Sequence, residues 1–245
     1  MGRRRFGFLH IVFPICIAAL TATLVLSCSG SGAWDLFGAS GPKILMSFQE
    51  GVDGYGGIED THVIEWAGPA PPPKDDNNAG ANEELAAANL LGGAGHEREI
   101  LIRFDVSSIL PSSEVREAAL LLYLTDGDTA MKTLYVHRVT GPWAEGDGTG
   151  LDGQIVPPAL GVTWNTKPSY DPSPLDGATI GTVDDVWYSF TITSAVQCWV
   201  ENGSSNYGVV IRQSSPSADD GLKLFASSEY AGPLLRPKLS VSYTD

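Results

Sequence analysis

WYSFTIT (187–193), SAVQCWVENG (194–203), NYGVVIRQ (206–213), LKLFASSE (222–229) and RPKLSVSY (236–243) together decide the fold. Helix periodicity interrupts strand periodicity only once in this stretch, where Val196, Trp199 and Val200 fall at i, i+3 and i+4 as one apolar stripe. Thr193 or Ser194 stands where a helix cap belongs, and Gly203 stands where the helix ends. Strand, short helix, then three strands predicts an all-β, mostly antiparallel module. Its single helix, near the C-terminal third, plugs one end.

Upstream, Ile100, Ile102, Phe104 and Val106 alternate with Glu99, Leu101, Arg103 and Asp105, so one face of that strand is core and the other partly wet. Residues 115–124 are almost continuously apolar, which predicts a central strand covered on both sides. ILMSFQ (44–49), THVIEW (61–66), ELAAANLL (84–91) and residues 134–139 read as further strands. A short strand is expected around Trp164, and residues 178–183 and 187–192 look like a hairpin turning at Asp184 and Asp185. Two segments resist regular structure: the proline-rich run at 67–82 and WAEGDGTGLDGQIVPPAL (143–160).

The N-terminus carries Arg3, Arg4 and Arg5, an apolar run at 6–19, and Leu24, Val25, Leu26 and Ser27 before Cys28. Residues 1–27 read as a signal peptide of lipoprotein type, with Cys28 as the lipid attachment site, although Leu26 stands where a smaller residue is usual. An ordinary signal peptide that happens to hold a cysteine is the alternative. Residues 28–42, rich in Gly, Ser and Ala, read as a flexible tether, and 43–245 as one domain. The expected location is extracellular or on the cell envelope, with membrane contact only through the lipid anchor.

Removing 1–27 takes away three arginines and no acid, so a formal charge of −14 becomes −17. Such a surface repels nucleic acid at long range. Once Cys28 is acylated, Cys198 is the one remaining thiol of the exported chain, no intrachain disulfide can form, and stability must come from the core.

The strand wording resembles a known family. Arg98 with LIRFD, then Ala118, Leu120, Leu122 and Tyr123, VHRVTGPW with Glu145, TWN at 163–165, WYSF, VQ with Trp199 and Val200, NYG at 206–208, FASSE and RPKL look like the DNRLRE domain, which is similar to carbohydrate-binding module family 96. The resemblance covers roughly residues 43–243. It implies a β-sandwich of jelly-roll type, secreted or at the cell surface, whose activity is polysaccharide binding rather than catalysis. The excursion at 146–162 and the prolines at 69–73 depart from the family pattern.

No GxSxG, HExxH, CxxC or phosphate loop is present, and His62, His96 and His137 are scattered. Sugar binding calls for an apolar face to stack on the ring and planar polar groups for its hydroxyls. Tyr55 in a glycine-rich loop and Trp66 at a strand end are the aromatic candidates, whereas Trp143, Trp164, Trp187 and Trp199 read as packing. Arg103, Arg138 and Arg212 lie within strands, where a cation must face solvent, pair with an acid or meet a ligand. Glu229 and Arg236 read as an ordinary ion pair. No cofactor is certain. Structural calcium is possible in three acidic loop groups: Glu50, Asp53 and Asp60; Asp75, Asp76 and Asn78; Asp147 and Asp152. The expected partner is a polysaccharide or surface glycan. The alternative is a structural or adhesive module that binds protein surfaces and has no sugar site.

Overall fold

A computed structural model of the protein describes residues 41–65, 76–89, 97–149, 161–213 and 222–245, all within one compact unit, Ala33–Asp245. The leader, Cys28, Trp66 and His96 lie outside the described residues.

The described residues form strands β1 (Ile44–Gln49), β2 (Ile58–Ile64), β3 (Glu84–Asn89), β4 (Glu97–Phe104), β5 (Glu114–Asp126), β6 (Lys132–Arg138), β7 (Asp176–Ile180) and β8 (Val186–Thr191), then helix α1 (Thr193–Glu201), then β9 (Val209–Gln213), β10 (Lys223–Ala226) and β11 (Lys238–Thr244). The fold is therefore all-β with one helix, and every strand pairing is antiparallel.

The strands form one curled sheet with two limbs. The first holds β1, β11, β5, β8 and β10; the second holds β2, β4, β9, β6 and β7. Strand β3 joins them, pairing with β10 through residues 84–87 and with β4 through Ala88 and Asn89. Leu124 of β5 faces Phe225 of β10 and Val186 of β8 on opposite edges, so β5 is central by hydrogen bonding.

Apolar residues at period two on both limbs enclose the main core, including Ile100, Ile102 and Phe104 of β4, Leu120, Leu122 and Leu124 of β5, Val209 and Ile211 of β9, and Trp199 of α1. A second, smaller cluster lies on the outer face of the second limb: Val63, Leu101 and Val210 from its strands, covered by Val139, Trp143 and Val162. Of the out-of-phase residues of β4, Glu99 and Leu101 are thus buried, whereas Glu97 and Arg103 stay partly exposed, as expected of that face.

Four expectations are corrected. The apolar run 115–124 is buried on one face only, with Leu121 and Tyr123 half-exposed, because nothing among the described residues covers the outer side of the first limb there. Residues 178–183 and 187–192 are not a hairpin: β7 pairs with β6 and β8 with β5. The chain changes limb between them so that Ile180 and Phe190 enter the same core from two sides. Trp164 begins a short 3-10 turn, Trp164–Thr166, and not a strand. Helix α1 has Ile192 at its N-cap and no side-chain cap; the Thr193 hydroxyl instead accepts the amide of Ala118 at 2.9 Å, tying the helix to β5.

Candidate functional site

The in-strand arginines are placed on different sides of the second limb. Arg103 and Arg212 are on its outer face. Arg103 pairs with Glu59 and lies 5.4 Å from the ring centroid of Trp143. Arg212 donates to Glu99 at 2.6 Å and also to Glu97, and sits 5.5 Å from the Tyr170 ring. Lys167 completes that group through Glu99 at 2.7 Å and lies over Trp164. Arg138 has the opposite strand parity, with Asp171 at 3.6 Å and the Cys198 sulfur at 3.8 Å. The three arginines do not converge, and each has an acidic partner.

The aromatic candidates are also accounted for, apart from Trp66. The Tyr55 hydroxyl donates to the carbonyls of Gly57 at 2.9 Å and Asp105 at 3.1 Å, and its ring packs edge-on to Phe48. It braces the 51–57 turn against the end of β4. Burial, opposed by the Asp105 backbone hydrogen bond, drives its phenol well above the ordinary range. Trp199 is in the main core and Trp143 in the small one, whereas Trp187 differs from its expected packing role. It lies half-exposed on the outer face of the first limb, edge-on to Tyr123 at 5.3 Å and with Lys238 5.2 Å from its ring.

A pocket of about 430 Å³ opens between β2, β3 and β10. His62 and Ile64 line it from β2, Glu84 and Ala86 from β3, Arg98 from β4, Leu224 from β10, and Tyr230 from the turn beyond. Arg98 pairs in register with Ile64 on one side and Ala88 on the other, so its side chain shares the core-facing parity of Ile100 and Ile102. No hydrogen bond or ion pair to its guanidinium occurs among the described residues. Burial alone lowers it from its ordinary value. Beside it, burial first and then the Arg98 charge push His62 down to about 3, so the imidazole is neutral, and its Nδ1 is buried without a partner. A cation without a partner among the described residues, a neutral imidazole and an apolar wall can take a polar ring-shaped ligand.

Two residues back along β2, Asp60 meets Glu145 and Glu229, and one carboxylate oxygen from each lies within 4.8 Å of the others. Asp60 is 1 % exposed. Its Oδ2 accepts the Ser228 amide at 2.9 Å and its own amide donates to Glu145 Oε1 at 2.7 Å, while Oδ1 has no partner. Glu229 Oε1 accepts the Ser228 hydroxyl at 2.8 Å, and its Oε2 is likewise buried and unpartnered. Burial, and then the neighbouring carboxylates, raise Asp60 well above its ordinary value. Glu145 rises to about 7, with burial as its largest cause, and burial also raises Glu229. Arg236 is the cation that acts on Glu229, but among the described residues no ion pair joins them. Its guanidinium donates to the Tyr230 carbonyl at 2.7 Å and to that of Glu50 at 3.5 Å.

The chain reaches this arrangement through Asn78. Its amide nitrogen donates to the carbonyls of Glu145 at 2.6 Å and Val162 at 2.9 Å, and its oxygen accepts Gly80 and Gly148. Gly146 sits at φ +82°, and a Cβ there would stand 2.5 Å from the Asn78 oxygen, so only glycine lets the loop close on this brace and hold Glu145 over β2. Asn78 is therefore fully engaged with protein groups. The expected acidic loop groups separate: Asp60 is in a strand, Glu50 accepts the Ile58 amide, and Asp76 accepts the Asn165 amide. Asp75 and Asp152 lie outside the described residues.

Residues 158–243 match the model of carbohydrate-binding module family 96. No curated protein matches the chain. The matched third runs through β7 to β11 with α1 and includes Tyr230 and Glu229, while β2 to β4 lie before it. This match supports a carbohydrate-binding module.

Proposed function

We propose that the protein is a non-catalytic, exported module that binds polysaccharide in the pocket around Arg98, and that its curled sheet is a jelly-roll sandwich of the DNRLRE type. The observation that carries the site is Arg98, a half-buried guanidinium with no hydrogen-bond or ion-pair partner among the described residues, inside a pocket large enough for a sugar ring. Its fork suits two vicinal hydroxyls or a carboxylate, and Ile64, Leu224 and Tyr230 supply the surface on which a ring packs. On this reading Cys28 carries the lipid that holds the domain to the envelope, and the acidic surface keeps nucleic acid away. Tyr55, Arg103, Arg138 and Arg212, none of which lines the pocket, hold the segments they lie on. Convergent acids with a perturbed carboxyl are two marks of a sugar-cleaving site. None of Asp60, Glu145 and Glu229 lines the pocket, which favours binding over cleavage.

The test is retention of the purified protein on neutral and uronate-rich polysaccharides. Wild-type protein is expected to be retained on at least one, and Arg98→Ala to weaken it by at least about tenfold, the loss of one charge-assisted hydrogen bond in a desolvated site. Retention on none, or equal retention of the variant, sinks the pocket reading. An adhesive module is the second reading, favoured by the outer face of the first limb, where Leu45 is 73 % exposed at one end and the Trp187 and Tyr123 pair is half-exposed at the other. A Trp187→Ala variant that loses binding to cell surfaces while keeping sugar would support it.

A further inference from the structure

We propose that Asp60, Glu145 and Glu229 form a binding site for one calcium ion, which joins β2, the segment after Trp143 and the turn after β10. Hard carboxylate oxygens suit calcium at about 2.4 Å, and two ligands at that distance stand at most about 4.8 Å apart. The three carboxylates meet that limit. The site stands on more than clustering. Asp60 is 1 % exposed and its Oδ1 has no hydrogen-bond partner, and Glu229 Oε2 is buried and unpartnered as well. A buried acceptor normally has a donor, so two orphan oxygens in one cluster mark an interaction that the protein's own groups do not supply.

Among the described residues no cation pairs with the three carboxylates. Arg236, whose charge acts on Glu229, is engaged with the carbonyls of Tyr230 and Glu50. Glu50 and Glu59 add like charge around Glu145 instead of relieving it. The oxygens that are satisfied accept from main-chain amides of Asp60 and Ser228 and from the Ser228 hydroxyl, which fixes each carboxylate in place before a cation arrives. Glu145 is locked further by the Asn78 brace. The ligands come from three segments far apart in the chain, so the ion cross-links the fold. A calcium clip of this kind stabilises the native state by mass action. The site does not depend on the sugar-binding reading, because the three residues lie outside the pocket.

The test is calorimetric titration of the EDTA-treated, purified protein with calcium chloride, magnesium chloride as the control, and thermal unfolding with and without calcium. One calcium per chain and a midpoint several degrees higher in calcium than in EDTA are expected. Asp60→Asn and Glu145→Gln should each weaken calcium binding by about tenfold or more. In EDTA, Asp60→Asn should unfold at or above the wild-type temperature, because it removes a negative charge from between two others. Should Asp60→Asn fail to fold, Glu145→Gln carries the same test from the loop side. No saturable calcium uptake by the wild-type protein at millimolar concentration overturns the proposal. So does uptake that both variants leave unchanged.

Discussion

The two faces of the β2–β4 pair treat charge in opposite ways. On the outer face, Glu59 is matched by Arg103, Glu99 is shared by Arg212 and Lys167, and Glu97 is held by Arg212. On the core-facing side of the same two strands, Asp60 of β2 has an orphan oxygen and Arg98 of β4 has no counter-ion among the described residues. These last two could have neutralised each other. They cannot meet, because Asp60 is paired with Ile102 and Arg98 with Ile64, four residues away along β2, or about 13 Å at strand rise. A charge with a protein partner is part of the structure, whereas a buried charge left alone costs stability and is retained where something else completes it. The difference assigns the outer face to stability and the inner face to ligands of two signs.

The sharpest way to break this comparison is Glu99→Ala. Glu99 is 1 % exposed and its loss leaves Arg212 and Lys167 over a roofed cluster without their shared anion. Loss of one partner from a buried network costs about 3–5 kcal/mol. For a domain of this size that lowers the unfolding midpoint by roughly 6–20 °C. Sugar and calcium binding should survive in whatever fraction stays folded. A midpoint within a degree of wild type would show that the outer pairs are ornamental.

Arg98→Met tests the other face, and its sign is opposite. Replacing a half-buried cation that has no partner among the described residues with an apolar side chain of similar length should leave stability unchanged or raise it by about 1 kcal/mol, since the desolvation cost disappears with the charge. Thermal unfolding reads the stability, and retention on polysaccharide reads the loss of binding. If Arg98→Met is destabilised as strongly as Glu99→Ala, Arg98 is a structural residue and the two faces do not differ in kind.

Arg103→Gln is the smaller control on the paired side. Its side chain is 24 % exposed and that of Glu59 is 40 %, so solvent screens the pair and about 0.5–1 kcal/mol is expected from its removal, including contact with Trp143. Chemical denaturation resolves a change of this size. A loss above about 2 kcal/mol would mean that Arg103 holds the excursion down through Trp143 rather than through Glu59.

Much of the fold was legible because period-two alternation reports directly which residues face a core. The boundaries of β1 and the strand, helix, three-strand order after Val186 follow from it. Strand partners were less legible: alternation in residues 176–191 is the same whether β7 and β8 pair with each other or with β6 and β5. The pocket has a signal in the phase of its polar residues. Arg98 is in phase with Ile100, Ile102 and Phe104, and Asp60 and His62 are in phase with Ile58 and Ile64, so these polar residues sit where alternation demands apolar ones. Arg103 is out of phase, where a charge is ordinary. The carboxylate cluster had no local signal, because Asp60, Glu145 and Glu229 lie on separate segments and only the fold closes the distance. Of the three, only Glu229, in FASSE, lies within residues 158–243, which match carbohydrate-binding module family 96.

The smallest expected effect links the two inner sites. Glu229 and Tyr230 are consecutive, one in the carboxylate cluster and the other on the pocket wall, and the Tyr230 carbonyl is held by Arg236 at 2.7 Å. An ion that fixes Glu229 therefore fixes the backbone from which the Tyr230 ring projects, and a fixed wall loses less conformational freedom when a sugar packs on it. Chelation with EDTA should weaken polysaccharide binding by a few-fold, corresponding to about 1 kcal/mol or less of lost preorganisation, and Asp60→Asn should reproduce the weakening without responding further to EDTA. By linkage the sugar should tighten calcium binding by the same factor, which calorimetry in saturating oligosaccharide can read. Equal sugar affinity with and without calcium would separate the sites: the cation would then stabilise the fold alone, and Tyr230 would be held in place by Arg236.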